Sequence, residues 1–448
     1  MGRIWTFLRN STDALSERDF RLLWLGQTGS SIGDALVGVA LAFAVLQVGG
    51  TAADLGLVFA AFTVPRVLLI LAGGVWSDRL PRQRVMVACD LVRAVAQTVV
   101  STILISGNGQ IWHLVALAVV MGGAHAFFVP ANTGLMPQVV SPARLQQANS
   151  LVSISQSAAH IFGPLVAGLL VATVGPGWAF AVDGASFLVS AGFLLAMRVP
   201  PGVLEEHRSF VQDLAAGWRE VSARRWVLAS IVTFALSNAS LGAFQVLGPV
   251  IAADRLGGAA AWGVILTGGA VGGLLGGAIS LRWKPRRPLV PGFVFMAFAT
   301  VQLLLLIPPF PAPVVALGTM VAFAGIVVSN TFWDTMLQQH IPPTVLSRVS
   351  SYDWMVSLVL QPLAFAAVGP MSEAIGMPQT LLLAAGIGIV ANAAVLLVPS
   401  VRQLQRRDGA PAVPDPESAA AAAEPGALGD HPASPASTAS SSGSRPAK

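Results

Sequence analysis

The sequence predicts an all-α membrane protein. Twelve transmembrane helices stand in two pseudo-symmetric six-helix halves, with both termini cytoplasmic. Three observations predict it. First, 54% of the 448 residues are hydrophobic and only 10% are charged, with a mean hydropathy of +0.70. A soluble domain carries about 25% charged residues, so this chain has too little polar surface to clothe a water-facing exterior. Second, the apolar runs are continuous rather than alternating, and each has the roughly 20 residues needed to cross a hydrocarbon core of about 30 Å. Helices therefore satisfy the backbone in lipid. Third, arginine returns at every second connection between the runs.

The spans read from the sequence are 20–48, 54–77, 85–106, 111–136, 149–174, 178–198, 226–251, 260–282, 289–308, 312–338, 350–371 and 377–398. The inner ends of the fourth and tenth become polar. Basic residues fix the direction of each span in turn. Arg3, Arg9, Arg18 and Arg21 precede the first. Arg79, Arg82 and Arg84 follow the second, and Arg144 follows the fourth. Arg198, Arg208, Arg219, Arg224 and Arg225 follow the sixth. Arg282, Lys284, Arg286 and Arg287 follow the eighth, and Arg348 follows the tenth. The odd-numbered connections hold only Arg255, beside Asp254. By the positive-inside rule, the N-terminus and the even connections are cytoplasmic. The first twenty residues lack a long apolar core and a small-residue cleavage site, so no removable signal peptide is expected. The strong preference for arginine over lysine, with abundant Ala and Gly, points to a GC-rich bacterial genome and hence to the bacterial plasma (inner) membrane.

Four segments follow: an N-terminal half, 1–198; a connection, 199–225; a C-terminal half, 226–401; and a tail, 402–448. The connection contains FVQDLAAGWREVSARRW, whose helical period with basic residues, Trp218 and Trp226 suits a helix on the inner leaflet. The Ala-, Pro-, Ser- and Gly-rich tail can bury little and is expected to be disordered. The halves echo each other at an offset of about 200 residues, within the pattern of repeated transporter folds. Gly73, Gly74, Ser77 and Arg79 align with Gly276, Gly277, Ser280 and Arg282, and MPQVVSPARLQQANS aligns loosely with LQQHIPPTVLSRVSS.

Two motifs carry a family resemblance. GVWSDRLPRQR resembles the signature G-x-x-x-D-R-x-G-R-[RK] of the major facilitator superfamily between helices 2 and 3. Gly74, Asp78, Arg79 and Arg82 match, Pro81 replaces the second glycine, and Gln83 replaces the last basic residue. GPLVAG, with Gly163, Pro164 and Gly168, resembles the superfamily's helix 5 antiporter motif. The entry FRLLWLGQTGSSIGD and the pair Asp90 and Arg93 resemble the branch of enterobactin exporters and macrolide efflux proteins. The helix 4 motif R-x-x-Q-G of proton-coupled members is absent, since that region reads LAVVMGGAHAFF. The resemblance implies that Asp78 reaches a helix N-terminus in the other half, near Ser350, and locks the cytoplasmic gate. The plainer reading of the loop is a topology anchor. Leu281 stands where the second copy would carry its acid.

Charges at mid-span are the next candidates, because an ionised group there costs about 2.5–3.5 kcal/mol and normally pairs or faces water. Asp34 and Arg66 are expected at one depth, communicating directly or through water, with Asp34 titrating; a structural ion pair is the other reading. His125 and His160 are secondary proton candidates. Asp90 and Arg93, one turn apart, are read as a local pair supporting the charged loop. Asp183 is placed near the outer end of a peripheral helix with a structural role, and Asp334 and Asp353 beside the 10–11 loop, suited to contacts with Arg348. Gly163, Pro164 and Gly168 allow close helix approach and a bend. The polar cavity set is Asn238, Gln245, Asn330 and Gln361, outnumbered by Trp24, Phe127, Phe244, Phe332, Trp333 and Trp354. That balance suits an apolar, amphiphilic or bulky compound better than a sugar.

The expected function is secondary active, proton-coupled efflux of a small amphiphilic compound (a drug, siderophore or secreted metabolite) by alternating access. An importer, facilitator or carrier of a lipid-like substrate on the same fold is the alternative, and a non-transporting sensor a third. Nothing points to an enzyme, and the nucleotide-binding loop of an ATP-driven pump is absent. The single Cys89 excludes a cysteine metal site. No cofactor, metal or nucleic acid is expected. The partners are a small-molecule substrate, protons and the bilayer, with the protein a monomer.

Overall fold

In the computed structural model, residues 13–199, 218–308 and 310–407 are described, with all their side chains except those of 70–79, 142, 343, 344, 347 and 348. Every regular element among them is helical. The first half comprises α1 (Arg18–Gln47), α2 (Ala52–Arg79), α3 (Arg82–Ile105), α4 (Ile111–Val139), α5 (Leu145–Val174) and α6 (Pro176–Ala196). The second comprises α7 (Arg225–Ile251), α8 (Gly258–Arg282), α9 (Leu289–Leu304), α10 (Ala312–His340), α11 (Pro343–Val359 and Gln361–Ile375) and α12 (Met377–Val395).

Eleven of these are long and apolar enough to cross a membrane. The ninth is shorter than the sequence predicts. It tightens into a 3₁₀ turn at Phe298–Thr300, where the Thr300 hydroxyl donates to the carbonyl of Ala297 at 2.8 Å. It stops before Pro308, whose ring restricts the residue ahead of it. The eleventh breaks at Leu360 because Pro362 removes a backbone donor and crowds the preceding turn. The fourth and tenth, despite polar ends, run unbroken to Val139 and His340. Large side chains face outward along the helices, including Leu68 at 70% exposure and Val390 at 65%. In lipid that exposure carries no hydrophobic penalty.

The repeat is plain in the packing. In the first half α1 packs on α5 and α6, α3 on α4 and α6, and α2 on α4. In the second half α7 packs on α11 and α12, α9 on α10 and α12, and α8 on α10. Equivalent turns also match. Gly175 ends α5 and Gly376 ends α11, at φ of 90° and 92°, a conformation that disfavours any side chain. Residues 218–223 are helical and lay Trp218 against Tyr352 at 5.7 Å between ring centres, with Val221 in the core of the second half. The rest of the expected surface helix and the tail beyond 407 lie outside the described residues.

The halves meet along two seams, α2 with α11 and α5 with α8. Both seams lie at the end remote from the arginine-rich loops. Gly56, near the start of α2, abuts the backbone of Phe365 in the second segment of α11, and Gly369 abuts Ala53. Near the end of α5, a Cβ on Gly168 would stand 2.6 Å from the carbonyl oxygen of Ala259 and 3.2 Å from the Cα of Gly263. The first segment of α11 packs on α7.

Candidate functional site: a charged core and a polar helix stripe

The first half holds an ionic cluster in its interior. Asp90 and Arg93 of α3 are buried, at 0% and 3% exposure, and form an i,i+3 ion pair. The guanidinium is clamped between Phe128 of α4 and Phe187 of α6, at 4.1 and 4.2 Å from the ring centres. Cation–π contact of this kind is worth about 2 kcal/mol or more when desolvated. One turn further along α3, Gln97 donates to Asp183 of α6 at 2.6 Å, and both are fully buried. The pair therefore braces three helices rather than the charged loop, and Asp183 sits inside the half, not at its rim. Burial decided both outcomes, since the faces that α3 and α6 turn to each other cannot be read from span limits. Gln97, Phe128 and Phe187 were not anticipated. The available signal was that Asp90, Arg93 and Gln97 follow one another at helical spacing on one stripe.

On α1, Gly33 abuts Asp183 and Ser186. The next residue, Asp34, is exposed and shares the polar side of α1 with Gln27, Ser30 and Ser31, away from apolar Leu25 and Ile32. The charges acting on Asp34 are those of Arg93 and Asp90. The expected direct pairing with Arg66 is not made in this conformation: no ion pair joins them among the described residues. Arg66, half-buried on α2, instead acts on His125 of α4, whose ring lies 6.1 Å from that of Phe62. Span limits carry no helix rotation, and it is rotation that sets which neighbours Asp34 and Arg66 meet.

α5 carries an exposed polar stripe. Asn149, Ser153, Gln156, Ser157 and His160 are exposed along a stripe that leads into Pro164 and Gly168, where α5 meets α8. A recess of about 780 Å³ opens on the lower part of this stripe, against Gln146, Asn149 and Ser153. Gly163 abuts Ala35 of α1. The GPLVAG run thus joins α5 to its own half through Gly163 and to the other half through Pro164 and Gly168.

In the second half, Gln245 and Asn330 are exposed and Gln361 is half-buried at the break in α11. Asn238 is a tie rather than a free polar group, donating to the carbonyl of Ser357 at 3.0 Å. Trp333 donates through Nε1 to Asp353 at 2.8 Å, and Ser357 donates to the other carboxylate oxygen at 3.2 Å. Asp334 is exposed one turn from Asn330. In the motif loop, Arg82 donates to the carbonyl of Gly134 at 2.7 Å, binding the start of α3 to the end of α4. The side chains of Gly74, Asp78, Arg79 and Arg348 lie outside the described residues.

At the arginine-rich end Glu17 closes the first half. It accepts from the Ser141 backbone and hydroxyl at 2.9 and 2.7 Å and from Arg144 at 3.2 Å. The Ser141 hydroxyl is the main cause holding this carboxyl below its ordinary range, with Arg144 adding to it.

Residues 23–364 match the Major Facilitator Superfamily. The chain is 26% identical to the multidrug efflux pump Tap of Mycolicibacterium fortuitum, over 83% of this chain and 93% of that one. It is 22% identical to macrolide efflux protein A of Streptococcus pyogenes, over 87% and 97%. Among solved structures, a bacterial homologue of the human lysosomal transporter Spinster, inward-facing and unoccupied, superposes with a TM-score of 0.69 at 17% identity, over 88% of this chain and 98% of that one. An inward-facing bacterial homologue of the iron transporter ferroportin gives 0.64 at 18%, over 85% and 98%.

Proposed function

Because this chain belongs to the Major Facilitator Superfamily, and is therefore a multi-pass membrane transporter and not an enzyme, we propose that it exports small amphiphilic compounds by alternating access, driven by protons. One observation carries the reading. Among the described residues the halves are joined chiefly through α2–α11 and α5–α8, and the glycine contacts of both seams lie at the end remote from the arginine-rich loops, while the polar stripe of α5 and Asp34 of α1 are exposed. Efflux relatives spanning nearly the whole chain support the direction.

In this reading the arginine-rich end is cytoplasmic, by the positive-inside rule, in the bacterial plasma membrane. The open cavity then faces inward and takes its substrate from the cytoplasm or inner leaflet. Substrate rests against the α5 stripe and the aromatic-rich wall, with Gln245, Asn330 and Gln361 opposite. Asp34 carries the coupling proton on the cavity wall, where Arg93 and Asp90 tune it. Opening the outer seams requires Gly168 and Gly263 to part. Closing the inner end brings the Asp78 loop toward the first segment of α11. A ligand shifts this equilibrium only by its differential affinity for the two states, which the proton on Asp34 supplies.

Proton-gradient quench in inverted vesicles, across a panel of lipophilic cations and macrolides, tests the proposal. Wild type should release protons on addition of at least one compound, and Asp34→Asn should bind that compound without releasing protons. Compound-driven proton movement at the wild-type rate in folded Asp34→Asn overturns the coupling role.

A further inference from the structure

We propose that Asp183 is a second, buried proton-binding site of the N-terminal half, exchanging its proton with the cavity by way of Asp34 across Gly33. The proposal deepens the reading of Asp34 as the cavity-side proton carrier and rests on it for the exchange route alone.

Charge balance is the first argument. Asp90 and Asp183 are both fully buried, and Arg93 is the buried cation between them. Arg93 is committed to Asp90 by an ion pair, and its two faces are covered by Phe128 and Phe187. Among the described residues no cation lies within salt-bridge distance of Asp183, whose hydrogen-bond partners are the neutral Gln97 and Ser186. A buried carboxylate with only neutral partners is relieved most simply by binding a proton.

Hydrogen-bond geometry is the second. Gln97 and Asp183 stand 2.6 Å apart in a fully buried contact. Turning the Gln97 amide by half a rotation sets its carbonyl oxygen at that distance, where a protonated Asp183 donates to it. Amide orientation is chosen by such partners. Asp90 Oδ2, Arg93 Nε and Gln97 Oε1 are all buried without a hydrogen-bond partner, so the cluster can rearrange its hydrogen bonds as a proton arrives or leaves.

Access is the third. Gly33 brings the α1 backbone against Asp183, and a Cβ there would overlap the carboxylate. Asp34, the adjoining residue, is exposed, on the cavity wall in the proposed function, and acts electrostatically on Asp183. Every element packed on α6 is accounted for: α1 presents Asp34, and α3 presents Asp90 and Arg93. α5 carries His160 as its one titratable side chain, and that residue is not among the charges acting on Asp183. The step is a proton transfer alone. The Asp34 carboxyl gives up its proton, the Asp183 carboxylate gains one, and the net charge of the pair is unchanged.

Infrared spectroscopy of the full chain in lipid nanodiscs tests the site without substrate or transport. Wild type at neutral pH should show a protonated-carboxyl C=O band that shifts in D₂O and is absent in Asp183→Asn. Asp34→Asn should retain it. Gln97→Met, which keeps the bulk of the side chain but removes the partner, should move the band to higher frequency; it decides the matter if Asp183→Asn does not fold. A wild-type band persisting in Asp183→Asn, or an unmoved band in Gln97→Met, overturns the proposal. Because no transported compound enters the readout, failure here is separable from failure of the efflux reading in vesicles.

Discussion

The two halves share a fold and differ in what holds their interiors. Where α1, α3 and α6 converge, the first half buries Asp90, Arg93, Gln97 and Asp183. In the second half, α7 and α12 are joined by neutral groups. Asn392 donates to Ser237 at 3.0 Å, and Ser240 donates to the carbonyl of Ala384 at 2.6 Å. The inner part of the second half is aromatic: Trp226, Phe234 and Trp333 meet edge to face, and Phe234 lies 5.6 Å from Phe293. Duplication explains the common packing but not this divergence. Neutral ties only position helices, whereas a cluster with more carboxylates than cations can also change its proton content. Under the proposed function, the asymmetry places coupling in the first half and leaves the second as its counterpart wall and gate.

The largest test of that contrast removes its centre. Arg93→Ala leaves Asp90 buried without its partner, and breaking a buried pair in this way costs about 3–5 kcal/mol. Thermal unfolding in detergent should show a strongly destabilised protein. Replacing the pair together, as Asp90→Asn with Arg93→Gln, should recover much of the loss. A double variant no more stable than Arg93→Ala would mean that packing, and not charge, holds the cluster.

The seam between the halves comes next. Gly168→Val inserts side-chain atoms where α5 and α8 are in backbone contact, and overpacking typically costs about 1–3 kcal/mol. The penalty falls only on the state with that seam closed. Spin-label distances across the outer end should lengthen, with the closed population falling by about tenfold per 1.4 kcal/mol. An unchanged distribution would show that the seam yields elsewhere.

A smaller effect is expected in the second half. Trp333→Phe keeps an aromatic ring but removes the donor to the half-buried Asp353, a hydrogen bond worth about 0.5–1.5 kcal/mol net. The loss should appear in unfolding while proton release per compound exported stays at the wild-type value. A change in that ratio would break the division of labour between the halves.

The smallest effect is at the rim. Glu17 is held below its ordinary value of 4.5, so its contribution is fully present above that value and is lost as the pH falls through the lowered one. Its side chain is partly exposed, and screening limits the contribution to about 0–1 kcal/mol. Glu17→Gln should therefore shift the unfolding temperature slightly near neutrality and not at all in acid. An equal shift at both would assign the effect to lost geometry rather than charge.

The sequence by itself determined the solvent, the helix order and the doubled architecture, because continuous apolar runs and alternating arginine-rich connections need no tertiary information. It also singled out the GPLVAG run, whose small residues are legible as a close approach. Rotation was not legible. Asp34 and Arg66 act on different neighbours, and Asp90 with Arg93 turns inward. A continuous apolar span in lipid has no strong polar face to announce its inner side, so only helix packing could decide it. The same limit hid Gln97 and Asp183. Their partnership joins residues on α3 and α6 that meet only when α6 packs on α3, with Gly33 of α1 closing over them. Tertiary structure alone converted scattered mid-span charges into one buried cluster.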